Sequence, residues 1–212
     1  MDRFDYRTVE KQEYTHATRP AVVILNERNY ITFRGAGKFS VTDTQFMRQV
    51  NVMYDLATEI RQAAQMSKQL DWFRDYVPYP LNSFWDGFGG YLLMIKQPNF
   101  TVPELLTTAK ANLAAKYPSE LLQQVNFERL AEGTKVQSFN AGPVVPGNDT
   151  FQRLDTFIKQ HKARRLNQGH REVYLRQLTL GMPPTELEVL VRYQIAISNK
   201  ILASDRFLVT TN

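Results

Sequence analysis

The sequence predicts an α+β protein of two pseudo-symmetric halves sharing a curved antiparallel sheet, with helices on one face and a ligand groove on the other. Three observations carry this. Short runs rich in β-branched or alternating residues are separated by turn-formers, as strands are. Long stripes with a helical period stand between them. The order also repeats: Phe33-Arg34-Gly35-Ala36-Gly37 precedes one long helix and Phe139-Asn140-Ala141-Gly142-Pro143 precedes another, which reads as a duplicated unit.

The elements follow in order. Residues 1–17 are polar and irregular and read as a loosely held start. Pro20 to Leu25 is a strand, Asn26-Glu27-Arg28-Asn29 a turn, and Tyr30 to Arg34 a second strand. From Asp43, Phe46, Val50, Met53, Ala57, Ile60 and Ala64 fall on one helical face, with Thr42 or Asp43 as N-cap. Residues 71–90 crowd Trp72, Phe73, Tyr76, Tyr79, Phe84, Trp85 and Phe88 among prolines and glycines, too densely for one helical stripe. Tyr91 to Gln97 is a buried strand, and Thr101-x-x-Glu104 a capping box before a helix carrying Leu106, Ala109 and Leu113. Val125 to Leu130 and Thr134 to Phe139 then read as strands joined by a tight turn at Glu132-Gly133. Asp149-x-x-Gln152 opens a helix with Phe151, Leu154, Phe157 and Ile158 inward. His170 to Arg176 and Leu187 to Ile195 are the last strands, with Pro183-Pro184 a turn between. The expected domain is 18–195, followed by an extension over 196–212.

Composition narrows the chemistry. The 212 residues are 43% hydrophobic and 12% aromatic, enough for a real core. With 26 Lys+Arg against 21 Asp+Glu, the net charge of +5 is mild and scattered, which argues against a nucleic-acid partner. Cysteine is absent, excluding disulfides and thiolate metal sites, and His16, His161 and His170 are too dispersed for a metal or haem site. No cofactor is expected. No apolar run suits a secretory signal or a membrane span, so a cytoplasmic protein without a membrane partner is expected. Gly35-x-Gly37 lacks the third glycine of a dinucleotide fingerprint. Lys159, Lys162, Arg164 and Arg165 read as a solvated helix end.

The strand from His170 carries the most chemistry. Its alternation places Val173 and Leu175 on one face, taken as the helix layer, and His170, Glu172, Tyr174 and Arg176 on the other. Glu172 and Tyr174 then stand about 7 Å apart on the free face. A carboxylate beside a phenol can hold a cation or orient a water. The competing reading is a solvated strand face with Glu172 paired to Arg171 or Arg176.

The segments Phe33-x-Gly35-x-Gly37, Tyr79-Pro80-Leu81-x-x-Phe84-Trp85, Met94-Ile95-x-Gln97-Pro98-x-Phe100, Glu132-Gly133-x-x-Val136-Gln137, Ala141-Gly142-Pro143 and His170-x-Glu172-x-Tyr174-Leu175 together resemble the GyrI-like small-molecule-binding family, of SOUL/GyrI-type fold. The resemblance covers residues 20–195. Its nearest branch holds stand-alone binders of aromatic, often cationic compounds, some of which hydrolyse strained cyclopropane rings of genotoxic compounds. The resemblance implies that Glu172 is the strand carboxylate meeting the ligand, with Tyr174 beside it as the second catalytic candidate. It implies a ligand contact from Trp85, and a flat cationic ligand would bind by stacking and cation–π contact on Trp85, Tyr79 or Phe84. Asn82 stands where the family has glutamate, Asp86 where it has a second tryptophan, and Val144 where a tyrosine is frequent. Asn82 and Asp86 therefore join the candidate ligand set.

The expected function is binding of aromatic, cationic small molecules. The alternatives are a hydrolase opening strained rings, with Glu172 as general base, and a gyrase-inhibitor-like module with a protein partner. No helix-turn-helix pattern of the kind fused to this domain in transcription regulators is visible, which sets the DNA-binding regulator aside.

Overall fold

The computed structural model describes residues 3–67, 73–198 and 208–209. Trp72 and most of the 196–212 extension lie outside them. A short helix α1 (Tyr6–Val9) leads to β1 (Ala21–Leu25) and β2 (Arg28–Ala36), then the long helix α2 (Thr44–Met66). Strands β3 (Leu81–Trp85) and β4 (Gly90–Gln97) follow, then helices α3 (Pro103–Asn112) and α4 (Ser119–Gln123). The second round comprises β5 (Val125–Leu130), β6 (Gly133–Ala141), α5 (Asp149–Gln160), β7 (Arg164–Arg165), β8 (His170–Tyr174) and β9 (Glu188–Ala196), with β10 (Leu208–Val209) last. The architecture is α+β, as the patterning predicts.

Local chemistry explains most boundaries. Asp43 caps α2 by accepting from the amides of Gln45 and Phe46 (2.8 and 3.2 Å), and Phe46, Val50, Met53, Leu56 and Ile60 bury the helix's inner face. Two expected capping boxes shift. Val102 precedes Pro103 at the start of α3, so Thr101 does not cap and its hydroxyl is buried without a hydrogen-bond partner. Asn148, one residue before the expected position, caps α5 through the amide of Thr150 (2.8 Å).

The expected hairpins do not form. β1 pairs with β6 rather than β2, and β5 pairs with β2 rather than β6. The sheet order is β10-β1-β6-β9-β8-β3-β4-β2-β5, so the halves meet where β3 and β8 run antiparallel. Flat, six strand spacings would separate β1 from β2 by about 29 Å. The chain joins them through Asn26 and Glu27 alone, a span of at most about 11 Å. The sheet must therefore curl until its flanks meet.

The concave face that results is not a free groove. Arg171 on β8 lies 5.7 Å from the ring of Tyr30 on β2, although β3 and β4 stand between them in the sheet. Both hold Glu132: Tyr30 Oη donates at 2.5 Å and Arg171 Nη1 at 2.7 Å, while Lys135 Nζ sits 3.0 Å from the other oxygen. Residues 3–17, expected to be loose, instead cover this face. Tyr6, Glu13 and Tyr14 are buried, and Arg192 donates to the Glu13 carbonyl. Burial opposes ionisation of Glu132, but Arg171 and Lys135 outweigh it and hold the carboxyl far below its usual range.

Lys135 offers a pH test of this interior. Burial, reinforced by Arg171, pushes its ammonium down to about 8 despite Glu132 beside it. An unfolded lysine titrates near 10.4, so between these values the unfolded chain binds more protons and stability rises with pH. From about pH 8 to about pH 9.5 the wild type should gain on the order of 1–2 kcal/mol relative to Lys135→Met in urea unfolding. A difference that stays constant across that range contradicts the assignment.

Candidate functional site

Strand register decides what faces what. In antiparallel pairs, directly opposed residues share a face. Glu172 opposes Ser83 on β3 and Val191 on β9, while His170 opposes Trp85. Through β4 the same face carries Tyr91, Leu93 and Ile95, which pack with Phe33 and the inner residues of α2. Glu172 and Tyr174 thus lie on the helix-bearing face, and Arg171 and Val173 line the concave interior. This inverts the sequence expectation. Its physical reason is that β8 is buried on both sides, so an apolar residue does not mark the helix layer there. α2 lies over β2 and β4 and α5 over β6, leaving β3 and β8 as the strip between them.

On this strip a chain of polar groups is assembled. His170 Nε2 lies 2.9 Å from Glu172 Oε1, and Tyr174 Oη donates to Glu172 Oε2 at 2.8 Å. Ser83 Oγ is 2.8 Å from the Tyr174 hydroxyl. Burial, then the charge of Glu172, raises the Tyr174 phenol well above its ordinary value, so it remains a donor. Tyr174 is only 2% exposed; it holds the carboxylate in place rather than facing outward. His170 is the more open member, with 22% of its side chain exposed.

The charge environment of Glu172 is unusual for an acid only 5% exposed. Arg171 is committed to Glu132 on the opposite face, and Arg176 pairs with Glu186 at 3.1 Å. The reading in which either arginine neutralises Glu172 therefore fails. Among the described residues no lysine or arginine pairs with it, and His170 is its ion-pair neighbour. A buried carboxylate without a fixed cation is costly unless something supplies the compensation.

Rings wall the strip on both sides. Toward α2, Phe39 stacks on Tyr174 (5.5 Å between centroids), and Phe46 approaches both Trp85 (6.3 Å) and Tyr91 (5.7 Å). Gly35 makes this possible: a Cβ there would sit 2.3 Å from the Tyr91 ring, whose hydroxyl donates to Gln49 on α2. Toward α5, Phe151 stands edge-on to His170 (5.0 Å) and parallel to Tyr193 (5.9 Å, 4°). Arg165, expected as part of a solvated helix end, stacks 3.6 Å above Tyr193 and donates to the carbonyls of Gln168 and Gly169 at the entry to β8.

Of the candidates read from the sequence, Glu172, Tyr174 and Trp85 come together. Asn82 and Phe84 do not. They alternate with Ser83 and Trp85 on β3 and face the concave side, where Asn82 bonds the carbonyl of Pro80 and Phe84 opposes Arg171. Tyr79 is buried against Tyr6 and Tyr76 with Lys96 above its ring, away from Glu172's face. Asp86 closes the β3–β4 turn by accepting from the amides of Phe88 and Gly90. Sequence reasoning missed His170 as a partner of Glu172, although the same alternation contained it. It took Phe46 and Phe151 for plain core, and nothing in the pattern marked Ser83.

No helix of the described chain is long and apolar enough to cross a membrane, and no group of acids and histidines there could hold a metal ion. No family model and no curated protein matches the sequence. Solved structures do match. A hydrolase from Listeria innocua is 23% identical with a TM-score of 0.79, over 92% of this chain and 100% of that one. An uncharacterized conserved protein from Listeria innocua is 22% identical with a TM-score of 0.77 at the same coverage. The C-terminal domain of EcmrR is 11% identical with a TM-score of 0.52, over 84% of this chain and 98% of that domain. At these identities the likeness establishes a shared fold.

Proposed function

We propose that the protein binds flat, hydrophobic, positively charged small molecules on the strip between α2 and α5, with Glu172 as the anchoring charge. One observation carries this reading: Glu172 is buried among rings and no lysine or arginine of the described chain neutralises it. A cationic ligand would supply the missing charge while its rings stack on Trp85, Phe46 or Phe151. The resemblance to the GyrI-like small-molecule-binding family supports the same role.

A second reading is hydrolysis, favoured by the His170–Glu172–Tyr174–Ser83 chain and compatible with a hydrolase being among the proteins of this fold. For a strained cyclopropane conjugated to a ring system, Glu172 would take a proton from water as its oxygen attacks a ring carbon. The bond from that carbon to the cyclopropane carbon joined to the conjugated system breaks, and its electron pair passes into the conjugated system, which is then protonated. Tyr174 and Ser83 position the base. His170, tied to the other carboxylate oxygen, can accept the proton onward.

Binding is tested by titrating a cationic xanthene dye such as rhodamine 6G into the wild type and Trp85→Ala. Cation–π and stacking contacts are each worth about 0.5–2 kcal/mol, so the variant should bind about 2–30-fold more weakly. Equal affinities would remove Trp85 from the site. Turnover is tested separately by incubating a cyclopropane-bearing alkylator with the protein; its survival beyond stoichiometric amounts rejects the hydrolase reading and leaves binding in place.

A further inference from the structure

We propose that the protein carries a second small-molecule site, for a flat aromatic anion, at the edge of the sheet face opposite Glu172. A cavity of about 280 Å³ lies there, and Phe4, Tyr76, Tyr79 and Phe100 contribute aromatic walls. That is nearly twice the roughly 150 Å³ known to admit benzene, enough for a fused two-ring system. Arg28 and Lys96, which line it, project from the concave face by the register of β2 and β4, opposite to Phe33 and Leu93. The site is therefore separate from the strip around Glu172.

Its construction is deliberate in the sense that several elements are held together to form it. The N-terminal segment is pinned beside Tyr76 by paired backbone bonds, Phe4 N–H to Asp75 O and Val77 N–H to Phe4 O, both 2.8 Å. Tyr76 meets the edge of Phe100 at 5.9 Å and tilts against Tyr79 at 6.4 Å. The sequence singled out Tyr79 as a ligand contact; it does line a cavity, one whose walls do not include Glu172.

Charge selects the ligand. Each acid around the cavity already has a base: Glu10 with Lys96 (2.7 Å), Glu13 behind it with Arg28 (2.5 Å), and Glu27 with Arg129 (2.7 Å). Arg74 is exposed at the lining and has no acid partner among the described residues. An aromatic carboxylate meets both features: rings against the aromatic walls and charge on Arg74.

The test is isothermal titration of 1-naphthoate into the full chain and into Arg74→Glu and Glu172→Gln. One-to-one binding is expected, weakened at least about fivefold by Arg74→Glu, since an exposed charge contact is worth up to about 1 kcal/mol and the variant reverses its sign. Affinity in Glu172→Gln should be unchanged, and neutral 1-naphthamide should bind the wild type more weakly. Absence of saturable binding, insensitivity to Arg74→Glu, or loss in Glu172→Gln would each overturn the proposal. Rhodamine 6G binding should be unaffected by Arg74→Glu, so the two sites can fail independently.

Discussion

Replacing Glu132 by alanine is expected to destabilise the protein by about 3–5 kcal/mol, the usual cost of removing one partner from a buried ion pair. Glu132 is 1% exposed and joins three elements of the concave interior, through Tyr30 on β2, Arg171 on β8 and Lys135 on β6. Without it Arg171 and Lys135 remain buried with their charges uncompensated, and Arg192 adds a third positive group nearby. Urea unfolding measures the loss. Adding Lys135→Met should recover part of it by removing one of the stranded charges. A loss under about 1 kcal/mol would mean that water or rearrangement compensates, and the interior described here would be wrong.

Glu172→Gln should behave in the opposite way. The amide can still accept from Tyr174 and donate to His170, and no lysine or arginine loses its partner, so stability should change little. Binding of a cationic dye should fall steeply. Truncating one side of a buried charge contact costs about 2–5 kcal/mol, at least about 30-fold in affinity. The same variant should abolish any hydrolysis of strained rings, because an amide cannot serve as the base. Two acids of one sheet thus differ in kind. Glu132 is matched by cations of the chain and belongs to the fold, whereas Glu172 is left for a ligand.

Much of the fold was legible because some elements bury a single face. The α2 stripe from Phe46 to Ala64 could be read directly, and Asp43 announced its start. Strand β3 was not legible, since Leu81, Asn82 and Ser83 are all buried and show no alternation among the surrounding aromatics and turn-formers. Pairing was misjudged at the turns read at Asn26 to Asn29 and at Glu132-Gly133. Short links ordinarily make hairpins, and only the curl of the whole sheet turns them into crossovers. In the site, the identity of Glu172 and Tyr174 as same-face neighbours followed from alternation. Which face they shared did not, because Val173 and Leu190 fill the curled interior just as well as a helix layer would.

The most direct test compares a cationic xanthene dye with an uncharged analogue of the same ring system, each titrated into wild type and Glu172→Gln. The wild type should prefer the cation by more than about tenfold, and this preference should vanish in the variant while the neutral analogue binds both alike. An equal preference for the cation in both proteins would contradict the role of Glu172 as the anchoring charge.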